Sequence, residues 1–176
     1  MTISVFVGAS VDGFIARPNH DLDWLPADPE DHGYNEFMAT VDALVIGRKT
    51  FEKVLTLGPW AYGAKRVVIL SSSPLDLSAA VNGVVEQMSG EPADIVSRLA
   101  ARGIKNLYVD GGITIQRFLR AGLVDRLIIT RVPVLIGEGI PLFGSLAHDV
   151  PLRHVSTRHF QSGLVQSEYS VGREGG

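Results

Sequence analysis

Three observations predict an α/β fold with three layers: a mostly parallel sheet, helices on both of its faces, and an antiparallel C-terminal hairpin. Short apolar runs alternate along the chain with segments of helical spacing, the pattern of strands joined by crossover helices. Three of those runs end in small, polar or basic residues and pass at once into helix-like or turn-like sequence. They are Gly47-Arg48-Lys49-Thr50, Leu70-Ser71-Ser72-Ser73 and Asp110-Gly111-Gly112. Finally, Arg153 to Phe160 and Leu164 to Val171 flank Gln161-Ser162-Gly163, which reads as a hairpin around a turn.

Thr2 to Ala9 is apolar enough for a strand buried on both faces, and Ser10 to Ala16 follows as a turn or loop marked by Asp12-Gly13. Pro18 to Pro29 is polar, holds Asp21-Leu22-Asp23-Trp24-Leu25-Pro26, and reads as a surface loop of the lid or binding kind. A helix is expected over roughly Asp31 to Thr40, burying Phe37 and Met38. A strand follows at Ala43 to Gly47, then a short helix with Thr50 as its N-cap. Strands are predicted at Arg66 to Leu70 and Val84 to Met88. Pro92 opens a helix that runs through Ala101 and is closed by Gly103. Leu107 to Asp110 is a buried strand, and Ile115, Phe118 and Leu119 then recur at helical spacing. Asp125 to Val132 is another strand, and Gly137 to Pro141 a tight loop.

The two glycines after Asp110 let backbone approach a ligand without Cβ interference. The free N–H groups of the helix that follows, with the positive end of its dipole, favour an anion such as a phosphate. In parallel sheets ligands bind beyond the carboxyl ends of the strands, so three such endings in one chain suggest a shared rim that grips a phosphorylated ligand. For Arg48-Lys49 the competing reading is a solvated basic turn.

The 176 residues are 45% hydrophobic and 20% charged, enough for one domain over 1–176 with a sizeable core. A net charge of −3 without any basic run argues against a nucleic-acid partner. No apolar run reaches the ~18 residues of a membrane span. With no cysteine and no apparent signal peptide, a cytoplasmic location is expected. The five histidines show no metal-ligand spacing, so no metal site is expected.

The endings at Ala9, Gly47-Arg48-Lys49-Thr50, Leu70-Ser71-Ser72 and Gly111-Gly112, in that order, resemble the dihydrofolate reductase fold family from Ser4 to about Phe143. Ser10-Val11-Asp12-Gly13, Leu123-Val124-Asp125 and Gly137-Glu138-Gly139 with Leu142-Phe143 narrow the resemblance. They are similar to the branch that contains the reductase domain of the bifunctional riboflavin-biosynthesis deaminase/reductase and its stand-alone relatives.

That resemblance implies a dihydrofolate-reductase-like fold and NADPH as cofactor. It implies Arg48 and Ser72 at the 2′-phosphate, supported by Gly47, Lys49, Leu70 and Ser71 in the same turns, and Thr50 at the phosphates. Val109, Gly111, Gly112, Ile113, Thr114 and Ile115 would line the pyrophosphate, with Ala9 and Ile15 at the nicotinamide. Thr130 falls where the family often has a substrate-side threonine, and Trp24, beside the loop, is a candidate wall for a flat heterocycle. For the family's catalytic acid, counting back from Gly47 points to Asp31, and the local Leu25-Pro26-Ala27-Asp28 sequence points to Asp28. A cis bond between Gly111 and Gly112 is also implied. So is a homodimer, since relatives pair through the region of the alternating tail (Leu152, His154 and Ser156 against Val165, Ser167 and Tyr169).

The function expected is an NADPH-dependent reductase that transfers a hydride to a pterin- or pyrimidine-like heterocycle. Two alternatives stand beside it. One is a riboflavin-type pyrimidinone reductase acting on a ribose-phosphate substrate, with Arg17 and Arg131 as its extra cations. The other is an NADP-binding module without catalysis.

Overall fold

A computed structural model of the chain describes residues 1–27, 30–78, 80 and 84–172. The first half runs β1 (Thr2–Ser10), β2 (Phe14–Ala16), α1 (Tyr34–Thr40), β3 (Ala43–Gly47), α2 (Arg48–Thr56) and β4 (Arg66–Leu70). Then come β5 (Val84–Met88), α3 (Pro92–Ala101), β6 (Asn106–Asp110) and α4 (Gly112–Arg120). The chain ends with β7 (Arg126–Val132), β8 (Ile140–Pro141), β9 (Leu152–His159) and β10 (Val165–Val171).

Eight strands form one sheet in the order β5-β4-β3-β6-β1-β7-β10-β9. From β5 to β7 every pairing is parallel. β10 then joins β7 antiparallel, and β9 lies outermost. Parallel strands need both faces covered, and alternate residues divide cleanly between two cores. Val45, Val68 and Val109 point to the side where Ile95 and Leu99 of α3 and Ile115 and Phe118 of α4 pack. Leu44, Ile46, Val67 and Ile69 point to the other, against Phe37 of α1 and Phe51 of α2. The three layers are those the sequence predicts.

Two carboxylates tie the sheet's amino-terminal edge. Asp42 Oδ2 accepts from the N–H groups of Lys105 and Asn106 at 2.9 and 2.8 Å, and Asp125 Oδ2 accepts from Ile3 N at 2.8 Å. These three bonds tie the starts of β1, β3, β6 and β7 together at the edge opposite the carboxyl ends of the strands.

The structure corrects several local expectations. Thr50 is not a cap: α2 starts at Arg48, because Gly47 leaves β3 in extended geometry and turns straight into the helix. α1 starts at Tyr34 rather than near Asp31, since Gly33 takes a left-handed φ of 86°. Part of each expected loop at Ser10–Ala16 and Gly137–Pro141 is strand, because β2 and β8 pair with each other. Arg102 caps α3, with Gly103 in the left-handed region just beyond. Among the described residues no peptide bond is cis, so Gly111–Gly112 is trans; a φ of 92° at Gly111 makes the turn instead.

Candidate active site

Strands β3 and β6 are neighbours in register, Ile46 opposite Asp110, so α2 and α4 both begin at the same edge of the sheet. A cavity of about 740 Å³ opens there. Gly47, Arg48, Lys49 and Thr50 line it from the start of α2, and Gly111, Gly112, Ile113 and Thr114 from the start of α4. Leu70 at the end of β4 and Ile15 in β2 complete the predicted residues that meet in it.

The glycines at this edge are required by closeness. A Cβ on Gly112 would lie 2.9 Å from Ile140 Cγ2 and 3.0 Å from Ile15 Cδ1, and one on Gly47 would lie 2.9 Å from Thr114 Oγ1. Any side chain on Gly111 would collide with Thr50 Oγ1, besides straining its positive φ. The two helix starts therefore present N–H groups to a backbone cradle, the arrangement that suits the pyrophosphate of a dinucleotide.

Other predicted residues lie outside the cavity lining. Ala9, Val109 and Ile115 are fully buried core residues behind it. Ser71 donates its hydroxyl to Ser73 O at 2.7 Å, and Gln87 Nε2 clamps the same turn through the Ser71 and Ser73 carbonyls at 3.0 and 2.8 Å. Ser72 stays exposed beyond that turn. Trp24 is buried against Val132 and Leu164 in a separate small core, so it walls no cavity. Thr130 is buried and accepts from Gln166 Nε2 at 2.9 Å, held by the hairpin rather than by a site.

Asp31 is a helix cap. Its Oδ1 accepts from the N–H groups of Tyr34 and Asn35 at 2.8 and 3.3 Å, and it does not line the cavity. Asp28 lies outside the described residues.

Among the described residues, the carboxyl that does line the cavity is Asp110, the last residue of β6. Its Oδ1 accepts from Gly111 N at 2.8 Å. Three tyrosines line the cavity with it: Tyr34 of α1, Tyr62 after α2, and Tyr108 from the same face of β6. Tyr108 donates its hydroxyl to Phe6 O at 2.8 Å. Burial raises the Asp110 carboxyl above its ordinary range, against the smaller opposing effects of the Gly111 N–H and the Tyr108 hydroxyl. Burial, and then the charge of Asp110, pushes the Tyr34 phenol up to about 12. Both also raise Tyr62. A sequence signal for Asp110 existed, an acid ending an otherwise apolar run directly before Gly-Gly. Nothing in the sequence brings Tyr34 and Tyr62 to it.

The loop from Arg17 to Leu25 covers one side. Pro18, His20, Leu22 and Leu25 line the cavity. The loop is cross-tied by Arg17 to Asp23 at 2.6 Å and anchored to α2 by Lys53 Nζ to Asp21 Oδ1 at 2.8 Å.

The sequence pattern of the RibD C-terminal domain matches residues 1–166. The chain belongs to the RibD C-terminal domain family. Its fold is similar to that of a putative riboflavin biosynthesis protein from Shewanella sp. PV-4, with a TM-score of 0.91 at 36% identity over 98% of this chain and 100% of that one. The YwjB protein of Bacillus subtilis strain 168 is 31% identical over 169 residues, covering 94% of this chain and 95% of that protein. A diaminohydroxyphosphoribosylaminopyrimidine deaminase/5-amino-6-(5-phosphoribosylamino)uracil reductase from Thermotoga maritima shares the fold, with a TM-score of 0.77 at 18% identity. The match takes in 96% of this chain and 56% of that longer one. This RibD-type domain thus has the dihydrofolate-reductase-like fold the resemblance implies.

The raised Asp110 carboxyl makes a stability prediction for the domain. The native state keeps this proton to higher pH than the unfolded chain does. Stability is therefore full below the ordinary carboxylate range and declines as pH rises through the folded value. Thermal melts of wild type and Asp110→Asn should differ little at the acid end, with the variant melting higher at neutral pH. A wild type that melts higher than the variant at neutral pH would show that burial of the charge costs nothing.

Proposed function

We propose that this RibD-type domain is an NADPH-dependent reductase acting on the polarised C=N or C=O bond of a small pterin- or pyrimidine-like heterocycle. The observation that carries this reading is one cavity holding two helix starts, a glycine cradle, the Arg48 guanidinium and a half-buried carboxyl, Asp110. NADPH, when bound, supplies the hydride. The N–H groups from Gly112 onward, with Thr50 and Thr114, would hold its pyrophosphate. Ile15 and Ile140, close above Gly112, would press the nicotinamide into place. Positioning the two reactants and excluding water is the protein's main contribution. Asp110 takes the role first assigned to Asp31 or Asp28, a carboxyl whose hold on its proton burial strengthens and which can pass that proton to the acceptor. A passive NADP-binding module has no use for a carboxyl kept in such a place, which disfavours the non-catalytic alternative.

Arg48 carries the choice of cofactor. Its Nε now donates to Glu52 Oε1 at 2.7 Å at the exposed mouth of the cavity. There it can exchange a surface carboxylate for the 2′-phosphate, gripping two oxygens at once. A charge-assisted bond is worth roughly 1.5–3 kcal/mol, so Arg48→Ala should weaken NADPH about tenfold to a hundredfold and leave NADH nearly unchanged. Paired fluorescence titrations decide the matter; equal losses for both cofactors would give Arg48 a purely structural role.

For the proton, Asp110→Asn should lower turnover by about a hundredfold or more, the usual worth of a general acid, with NADPH affinity retained. Full turnover in this variant would hand protonation to solvent.

A homodimer is also proposed. Strand β9 is an unpaired edge, exposed along its whole length with Leu152 and Val155 outward, and such edges seek partners. Light scattering should give about twice the 19.0 kDa mass of one chain; a single-chain mass at micromolar concentration ends the idea.

A further inference from the structure

The two ends of the cavity differ in chemistry. Among the described residues, every lysine and arginine that lines it comes from α2 or α4, the helices proposed to hold the dinucleotide: Arg48, Lys49, Lys53 and Arg117. The end toward β1 and α1 is built from Phe6, Tyr34, Tyr62 and Tyr108, roofed by Leu22 and Leu25, with Asp110 as its one acid among the described residues. Phe6 and Tyr34 meet edge to face at 5.5 Å, and Tyr108 is fixed to the backbone of Phe6. The hydroxyls of Tyr34 and Tyr62 have no protein hydrogen-bond partner among the described residues, so they are available to the polar edge of a ring.

The arginines and lysine nearest that end are engaged elsewhere, which leaves His20 of the covering loop as the basic side chain there without a partner among the described residues. Arg17 is held by Asp23 at 2.6 Å, and Arg131 donates to Ser10 O at 3.1 Å; neither lines the cavity. Lys53 is the cation nearest the covering loop, and its charge is matched by Asp21 at 2.8 Å. A phosphate or carboxylate at the aromatic end would lose its water, meet apolar walls, and face Asp110.

Resting on the reductase reading above, we infer that the acceptor is a small planar heterocycle with no anionic substituent. Neither a ribose phosphate nor a glutamyl tail suits the aromatic end. The ring stacks in the cage of Phe6 and the tyrosines, and its polar edge is met by the Tyr34 and Tyr62 hydroxyls and Asp110.

The test uses matched pairs on the full chain. NADPH titration comes first, and absence of binding there would remove the reductase reading itself. With NADPH bound, two neutral compounds are compared with their anionic counterparts. These are 6-methyl-7,8-dihydropterin against 7,8-dihydrofolate, and 5-amino-6-(ribosylamino)uracil without and with its 5′-phosphate. Binding is measured by calorimetry on the NADP⁺-loaded protein and turnover by NADPH oxidation. In at least one pair the neutral member should bind, with affinity and kcat/KM at least tenfold above the anionic one. Preference for the anionic members, equal behaviour, or no binding by any of the four overturns the inference while leaving NADPH binding intact. Asp21→Asn, which releases Lys53, should narrow the gap several-fold by improving the anionic member alone. An unchanged gap in that variant overturns charge as its cause.

Discussion

The turn at Gly111 is the constraint on which the site depends. β6 must end, reverse its backbone and start α4 within one residue, beside the start of α2 on the neighbouring strand. Only a residue without Cβ can take a φ of 92° against the Thr50 side chain. Because the turn is so tight, α4 rises directly from the sheet edge and its free N–H groups face the same space as those of α2. A longer connection would have carried one of the helix starts away from the other.

The same tightness explains where the acid sits. Asp110 is the last residue of β6, so its position is set by the sheet register, Ile46 opposite Asp110. A carboxyl on a helix or loop would have been free to turn toward water, as Asp31 does in capping α1. Held at a strand end among tyrosines, Asp110 keeps its proton more readily, which costs stability once the group ionises. The trade is typical of groups retained for chemistry rather than for the fold.

Electrostatics divide the cavity without any long-range design. Among the described residues, three of its four lysines and arginines lie on α2, where Glu52 balances two of them at 2.7 and 3.5 Å and Asp21 balances the third. The pair between Lys53 and Asp21 also joins the covering loop to α2, so the element that shields the aromatic end is fastened through the charge that would otherwise serve an anion there.

Much of the fold was legible in the sequence. Strands β3, β4 and β5 and helix α3 begin and end where apolar runs meet Gly, Ser or Pro, because local chemistry stops them whatever surrounds them. The strand endings also identified the rim of the cavity, where Gly47 to Thr50, Leu70 and Gly111 to Thr114 meet, since glycine and helix-start signals are local too. The surroundings of the cavity carboxyl were not legible, although Asp110 itself stands out as an acid ending an apolar run before Gly-Gly. Choosing Asp31 relied on chain distance, yet that carboxylate is used by the nearest free N–H groups of α1. Trp24 and Thr130 were assigned to a site by type and position, but the hairpin and β7 bury them in packing that no local pattern announces. Sequence by itself determined the layers, the strand ends and the glycine-lined rim of the cavity, because each rests on backbone geometry encoded within a few residues. Only the tertiary structure brought Tyr34, Tyr62 and Tyr108 around Asp110, because that cluster joins residues from α1, the segment after α2, and β6, and only the order of strands in the sheet makes them neighbours.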